Sequence, residues 1–349
     1  MFRVISGYIV SELFLNNVKQ ILIENGMDTR TFISSACRDG GNNLVYEILI
    51  ENQKVLAKQY YRSSTDQRDR LETEWSFLGY ARKVSPGNVP APIAIDRNAG
   101  IGIYEFVEGQ KLSTDELTEA HIDAAAQFFN ALNDRHDLGL ADNLPSASEA
   151  CFSIREHIEM VDNRISRLSA IEAVDDLDIE AISLMNEVKY VWQDVREEIE
   201  KSSAALHAGI NGVLPLTQRC VSPSDFGFHN ALIKARGEVC FIDFEYAGWD
   251  DPAKMVTDFF CQPQVPVPSI CFDRFLSMAM ASFDDAEELK VRARLLWPVQ
   301  RIKWICIILN IFLPDAAKRR VFASPDAASE TRRRLQIDKA RVALQTLEI

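Results

Sequence analysis

Ser222-Pro-Ser-Asp225-Phe-Gly-Phe-His-Asn230 is the segment around which this 349-residue chain is organised. It is followed by two short apolar runs, residues 231–234 and 239–242, with an Ala-Arg-Gly-Glu turn between them. Apolar runs on either side of a glycine-containing turn predict the two strands of a β-hairpin. Because the open ends of a hairpin meet, Asn230 before the first strand and Asp243 after the second are expected side by side.

The order of polar groups in this segment matches a known chemical requirement. Phosphoryl transfer from ATP needs a carboxylate to accept the proton of the attacking hydroxyl, and an amide oxygen and a second carboxylate to hold Mg²⁺. Asp225 would be the base, and Asn230 and Asp243 the metal ligands. Asp225-Phe-Gly227 also spells the D-F-G signature of protein kinases, but residues 206–220 contain no aspartate that could be its upstream catalytic partner. We therefore assign Asp225 to the catalytic loop.

Composition and charge limit the class of function. The chain is 47% hydrophobic and 26% charged, which is typical of a globular protein with one large or two ordinary domains. Its formal net charge of −13 argues against nucleic acid as the main partner, since phosphate backbones require a basic surface.

The cysteines and the apolar runs indicate the cellular compartment of the protein and its relation to membranes. Seven dispersed cysteines without a C-x-x-C pair indicate reduced thiols in a cytoplasmic protein. The amino terminus is a poor signal peptide, because Glu12 interrupts its apolar stretch. The most apolar run, residues 304–313, is too short to span a bilayer and predicts a buried helix, so no membrane partner is expected.

A helix over residues 10–25 precedes a predicted glycine-rich hairpin. Its strands are residues 44–50 and 54–61, and the second contains Lys58. A turn of this kind can cover phosphates with its backbone, although a plain β-hairpin has the same pattern. The candidate phosphate contacts are Gly40, Gly41, Asn42 and Asn43, together with the amine of Lys58.

A charged amphipathic helix is predicted over residues 68–82. Glu74 is placed on the face beside the core, four residues before Leu78, where it could pair with Lys58 and hold that amine on the phosphates. Glu72 is the competing residue. Two further strands follow, residues 93–96 and 101–107, and adenine is expected against the backbone of Glu105 and Val107.

The chain then changes from strands to helices. Helices are predicted over residues 115–133, 153–168, 178–205, 272–283, 286–312 and 329–347 from three- and four-residue apolar spacing. The predicted class is α+β, a protein-kinase-like two-lobed fold with a small antiparallel-sheet lobe and a larger, mainly helical lobe. Residues 1–109 form the nucleotide-binding lobe, and residues 110–349 the lobe with the catalytic hairpin and substrate pocket.

These motifs together resemble the aminoglycoside phosphotransferase/choline kinase family over about residues 35–260. The glycine-rich turn resembles its phosphate loop, and Glu105-Phe-Val-Glu-Gly109 its hinge. Lys58 with Glu74 resembles its ion pair. Downstream, Asp251-Pro252 and Asp258 resemble the aspartates that brace the catalytic loop.

The catalytic loop departs from the family pattern. The family has a histidine two residues before the catalytic aspartate, where this chain has Pro223. His229, next to Asn230, is either a phosphate or substrate contact or a packed side chain, and we favour packing.

The sequence thus predicts an ATP- and Mg²⁺-dependent kinase that transfers the γ-phosphate to a hydroxyl of a small molecule. Two alternatives stay open: a catalytically weak kinase-like protein that binds nucleotide or metabolite, and a protein kinase. Retention of the lysine, both aspartates and the asparagine at the required spacings argues against the first.

Overall fold

Residues 4–5, 8–9, 12–37, 43–62, 68–205, 208–313 and 330–347 are described by the computed structural model. An antiparallel five-stranded sheet occupies its amino-terminal part in the order β3-β4-β5-β7-β6. The elements of this part are β1 (Val4–Ile5), β2 (Tyr8–Ile9), α1 (Glu12–Glu24), β3 (Phe32–Ala36), β4 (Leu44–Ile50), β5 (Gln53–Gln59), α2 (Arg70–Val84), β6 (Pro92–Asp96) and β7 (Ile101–Glu105).

The carboxyl-terminal part is mainly helical. Its elements are β8 (Gln110–Lys111), α3 (Glu119–Leu132), α4 (Ile154–Leu168), α5 (Asp176–Ser202), β9 (Cys220–Ser222), β10 (Ala231–Ile233), β11 (Val239–Phe241), β12 (Gly248–Asp250), α6 (Pro252–Cys261), α7 (Phe272–Ala279), α8 (Ala286–Leu309) and α9 (Glu330–Gln345). This division into a sheet region and a helical region confirms the predicted fold class.

The predicted catalytic hairpin is present. β10 pairs antiparallel with β11, and Ala231 lies opposite Phe241. Beyond that pair, the Ile242 amide donates a hydrogen bond of 2.9 Å to the Asn230 carbonyl. The residues after β11 therefore run back past the start of β10, as the hairpin prediction requires.

Within the five-stranded sheet, β3 is the strand that the sequence pattern did not predict. It pairs with β4 at the edge of the sheet and alternates between half-buried and exposed residues. An edge strand buries little apolar surface, so its pattern is weak. The helix predicted from residue 115 starts at Glu119, after a separate short turn at Thr114–Glu116.

A group of packed aromatic rings lies against the predicted catalytic loop. The Phe226 ring lies 4.8 Å from that of Phe241 and 5.1 Å from that of Phe259, measured between centroids. Phe128 of α3 stacks on Phe241 at 4.9 Å. All four rings are buried, and each contributes about 1.5–3 kcal/mol of transfer free energy. The backbone directly after Asp225 is thus packed against α3, α6 and the hairpin.

A buried ionic network joins α4, α6 and α8. Asp251 caps α6 through the Ala253 amide, and its other oxygen accepts from His157 at 3.1 Å and Arg292 at 2.7 Å. Two further ion pairs lie beside it: Lys254 with Asp250, and Lys303 with Asp258. Asp250 ends β12 and Asp251 follows it directly, and β12 pairs with β9, so the network anchors the strand that leads into the predicted catalytic loop.

The most apolar helix lies inside the helical part. Among the described residues, one segment, Ala286–Phe312, is long and apolar enough to cross a membrane by length and composition. Its most apolar window is 61% buried against other elements of the chain. The helix begins well before the apolar run at residue 304 and packs as a core helix.

The network predicts a pH dependence of stability. Burial lowers the pKa of His157, so below about pH 6.5 the unfolded chain takes up a proton that the folded protein does not. Stability from this residue is complete above that pH and falls as pH decreases, by at most about 1.4 kcal/mol per pH unit. In His157→Gln the decrease in unfolding free energy from pH 7 to pH 5, measured by urea titration, is expected to be smaller than in wild type. The exposed His136→Gln is the control; an unchanged slope in His157→Gln would contradict the prediction.

Candidate active site

Lys58 is buried and lies at the centre of a group of three carboxylates. Its ammonium is 2.7 Å from Glu74 Oε2, 2.5 Å from Asp243 Oδ1 and 4.0 Å from Glu245 Oε2. Burial by itself would lower the pKa of Lys58, but the charges of Asp243, Glu74 and Glu245 outweigh it and raise that pKa well above its ordinary value. Lys58 is therefore a permanent cation, and it joins β5 and α2 to the segment after β11.

Glu74, rather than Glu72, is the partner of Lys58. Glu74 is buried on α2, whereas Glu72 pairs at the surface with Arg97 at 2.7 Å. Glu74 also accepts a 2.5 Å hydrogen bond from the Tyr60 hydroxyl and a 3.3 Å bond from the Phe244 amide. The Glu74 carboxylate thus contacts Lys58 near the end of β5, Tyr60 directly after that strand, and Phe244, which follows Asp243.

Asn43 contacts the segment after β11 through its side chain. Its Nδ2 donates to Glu245 Oε2 at 2.6 Å, and its Oδ1 accepts from the Tyr61 amide at 3.2 Å. Arg70 of α2 approaches the other oxygen of Glu245 at 3.4 Å. Asn43 therefore fixes the end of the glycine-rich turn against the segment after Asp243. The other predicted phosphate contacts, Gly40, Gly41 and Asn42, lie outside the described residues.

The predicted catalytic loop brings Asp225, His229 and Asn230 together. Ser224 and Asp225 both adopt positive φ, 49° and 34°, a region that non-glycine residues rarely occupy. Asn230 Nδ2 donates to the Asp225 carbonyl at 3.1 Å. His229 Nε2 is 3.4 Å from Asp225 Oδ1, and neither ring nitrogen has a hydrogen-bond partner among the described residues.

The oxygen donors next to this loop are of the kind that Mg²⁺ requires. The Asn230 amide nitrogen is bound to the Asp225 carbonyl, which leaves its side-chain oxygen as the free donor. The Asp243 side chain is 43% exposed, so its carboxylate can reach a ligand from the solvent side. Hard cations take amide and carboxylate oxygens, and Mg²⁺ typically takes only one or two from the protein when phosphates supply others.

The predicted adenine contacts lie at the end of the sheet. The Glu105 amide is bonded to the Ala91 carbonyl at 2.8 Å, and its carboxylate accepts from the Ala91 amide at 2.9 Å. Val107 lies in the connection between β7 and β8, outside both strands. Its backbone is therefore not used by the sheet ladder.

Asp225 lines neither of two cavities formed by the described residues. One of about 600 Å³ is formed by α5, α7 and α8, with Phe272 and Trp297 in its wall. Phe259 and Phe260 lie between that wall and Phe226. The other, of about 650 Å³, lies between the first turn of α2 and residues 143–149, and it reaches Glu245 and Tyr246.

Comparison with known proteins gives the family. Residues 35–261 match the model of the phosphotransferase enzyme family, APH. No match was found among curated protein sequences. Because the family match extends over well over half of the chain, this protein belongs to the phosphotransferase enzyme family, and the resemblance inferred from its motifs is confirmed.

Solved structures share the fold at low sequence identity. Choline kinase from Cryptosporidium parvum Iowa II superposes with a TM-score of 0.59 at 14% identity, over 96% of this chain and 98% of that one. Spectinomycin phosphotransferase APH(9)-Ia gives 0.58 at 12% identity, over 95% and 98%. Ethanolamine kinase from Plasmodium vivax gives 0.56 at 15% identity, over 92% and 88%. These similarities confirm the kinase-like fold.

The contacts of Glu245 predict a stabilising role. In Glu245→Gln, both Asn43 Nδ2 and Arg70 lose a charged acceptor in a buried site, so the unfolding free energy is expected to fall by about 1–3 kcal/mol. Urea denaturation at pH 7 measures this loss. Glu238→Gln, an exposed substitution between β10 and β11, is the control. Equal stability of the two variants would show that Glu245 contributes nothing through these contacts.

Proposed function

We propose that this protein transfers the γ-phosphate of ATP to a hydroxyl group of a small molecule, with Mg²⁺ as cofactor. The observation that supports this most strongly is the convergence on Lys58 of Glu74 from α2 and Asp243 from the segment after the catalytic hairpin. Phosphoryl transfer requires a fixed cation and a metal-binding carboxylate at one place, and here they are adjacent.

In this proposal each residue has a defined task. Lys58 offsets the negative charge of the phosphates, and Glu74 holds Lys58 in place. Asp225 accepts the proton of the acceptor hydroxyl. The oxygen of that hydroxyl bonds to the γ-phosphorus, and the bond between the γ-phosphorus and the oxygen that stays with ADP breaks. Asn230 and Asp243 would hold Mg²⁺, which when bound neutralises charge on the phosphates. The proton leaves Asp225 to solvent after ADP and the phosphorylated product form.

The acceptor is proposed to be small because the chain has no platform for a peptide. Only residues 244–251 separate Asp243 from the first residue of α6, and three of them are in β12. Protein kinases hold peptide substrates on a longer segment at this point. We place the activity in the cytoplasm, consistent with seven dispersed cysteines without a C-x-x-C pair.

The metal assignment is tested by nucleotide-dependent thermal shift. ATP should raise the melting temperature of the wild type, and Mg²⁺ should raise it further. Asp243→Asn removes the anionic ligand and is expected to lose most of the Mg²⁺ increment, because an amide is a weaker ligand than a carboxylate. The exposed Asp142→Asn should retain it. A full increment in Asp243→Asn would place the metal elsewhere.

The base and the acceptor class are tested together. The protein is incubated with γ-labelled ATP and a cell lysate separated by size, and the label is expected in the small-molecule fraction. Asp225→Asn should lower this labelling by about 10²–10⁴-fold, because the amide cannot accept the proton, while ATP binding measured by thermal shift survives.

Three outcomes would contradict the proposal in different ways. Label found only in proteins, and lost in Asp225→Asn, would favour a protein kinase. Normal labelling by Asp225→Asn would remove this residue from the mechanism. ATP binding without labelling of any fraction would favour a nucleotide-binding protein without turnover.

A further inference from the structure

Tyr60 is a buried residue that touches both members of the central ion pair. It follows the last residue of β5 and is only 4% exposed. Its hydroxyl bonds Glu74 Oε2 at 2.5 Å, and the Lys58 ammonium lies 4.8 Å from the centre of its ring. Tyr60 therefore contacts Lys58 through its ring and Glu74 through its oxygen.

A second tyrosine fixes the direction of this hydrogen bond. The Tyr104 hydroxyl lies 2.7 Å from the Tyr60 hydroxyl. The carboxylate of Glu74 only accepts, so Tyr60 donates its proton to Glu74 and Tyr104 donates to Tyr60. Burial and the charge of Glu74 raise the pKa of both phenols, so both keep the protons they donate.

The backbone opposite these hydroxyls is adapted to them. A Cβ atom on Gly102 would overlap the Tyr104 hydroxyl. Glycine at this position of β7 lets Tyr104 fold back along its own strand and reach Tyr60. The two hydroxyls thus form a fixed chain that ends on Glu74.

These two hydrogen bonds matter because Glu74 and Asp243 compete for the ammonium group of Lys58. Lys58 is within 2.7 Å of the first and 2.5 Å of the second. Without Tyr60, the only side-chain donor to Glu74 Oε2 among the described residues would be Lys58 itself, and Oε1 would keep the 3.3 Å contact from the Phe244 amide. Glu74 would then be free to turn away from Lys58, and Asp243 could retain the lysine.

We propose, building on the function proposed above, that Tyr60 is a positioning residue for nucleotide binding. Its hydroxyl holds Glu74 in the orientation that keeps Lys58 available to phosphates, and Tyr104 supports that hydroxyl. The proposal concerns the hydroxyl alone, because a phenylalanine would retain the packing and the contact with Lys58.

Tyr60→Phe is the direct test, with binding of the non-hydrolysable ATP analogue AMPPNP in the presence of Mg²⁺ measured by calorimetry. The dissociation constant is expected to rise about tenfold, the loss typical of one hydrogen bond to a charged group. Tyr104→Phe should give a smaller rise, of about two- to threefold, since Tyr60 still donates to Glu74.

A matched control is available on α2. Tyr80 is equally buried, and its hydroxyl donates a 2.6 Å hydrogen bond to the Leu132 carbonyl, away from Lys58. Tyr80→Phe removes the same atom from a buried site and should lower the melting temperature without changing the dissociation constant of AMPPNP. If Tyr60→Phe lowers only the melting temperature, as the control does, its hydroxyl is structural and the inference is wrong.

A double-mutant cycle tests whether Tyr60 acts through Glu74. Once Glu74→Gln has removed the charge that Tyr60 contacts, adding Tyr60→Phe should weaken AMPPNP binding by less than twofold. Equal tenfold losses in both backgrounds would overturn the inference. Absence of AMPPNP binding by the wild type would instead refute the proposed function, and this inference with it. Binding by the wild type and by Tyr60→Phe with equal affinity would refute the inference alone.

Discussion

The buried ammonium of Lys58 contacts both the sheet region and the helical region of this protein. Lys58 on β5 contacts Glu74 on α2 and Asp243 after β11, and each of these carboxylates is attached to a different part of the fold. Breaking one partner of a buried ion pair typically costs about 3–5 kcal/mol, because the other charge stays buried. The relative position of β5, α2 and the catalytic hairpin is therefore constrained by the same charges that would bind nucleotide.

Several neighbouring contacts follow from that constraint. Glu245 lies two residues beyond Asp243 and accepts from Asn43, which fixes the end of the glycine-rich turn. Phe244, between the two acids, donates its amide to Glu74 and packs its ring 4.6 Å from that of Phe77. Residues 243–245 thus reach the strand, the helix and the turn together. Most changes to these contacts would therefore move a group that we propose acts on the phosphates.

Much of this arrangement could be predicted from sequence because it depends on local order. The spacing of Asp225, Asn230 and Asp243 and the hairpin between them are short-range features. The partner of Lys58 was also predictable, since Glu74 faces the core in the helical pattern. The contact between Tyr60 and Glu74 was not predictable, although Tyr60 comes two residues after Lys58 and both therefore lie on one face of an extended chain. The hydrogen bond between Tyr60 and Tyr104 depends on the register of β5 against β7 and on the space left by Gly102. Neither can be inferred from the local sequence pattern. The division after Gly109 stays a prediction; the pairing of β8 with β10 supports it.

The loop around Asp225 is held without the histidine that the family has two residues before the aspartate. Ser222 ends β9, which pairs with β12, and its hydroxyl accepts from the Ser224 amide at 3.1 Å. After Asp225, Phe226 is buried among aromatic rings and Asn230 returns to bond the Asp225 carbonyl. Both sides of the aspartate are therefore fixed by backbone pairing, packing and one amide. Because these contacts already define the backbone at Asp225, Pro223 can occupy the histidine position without loosening the loop. The fixed φ of Pro223 reduces the number of conformations available to the chain just before Ser224 and Asp225, the two residues with positive φ.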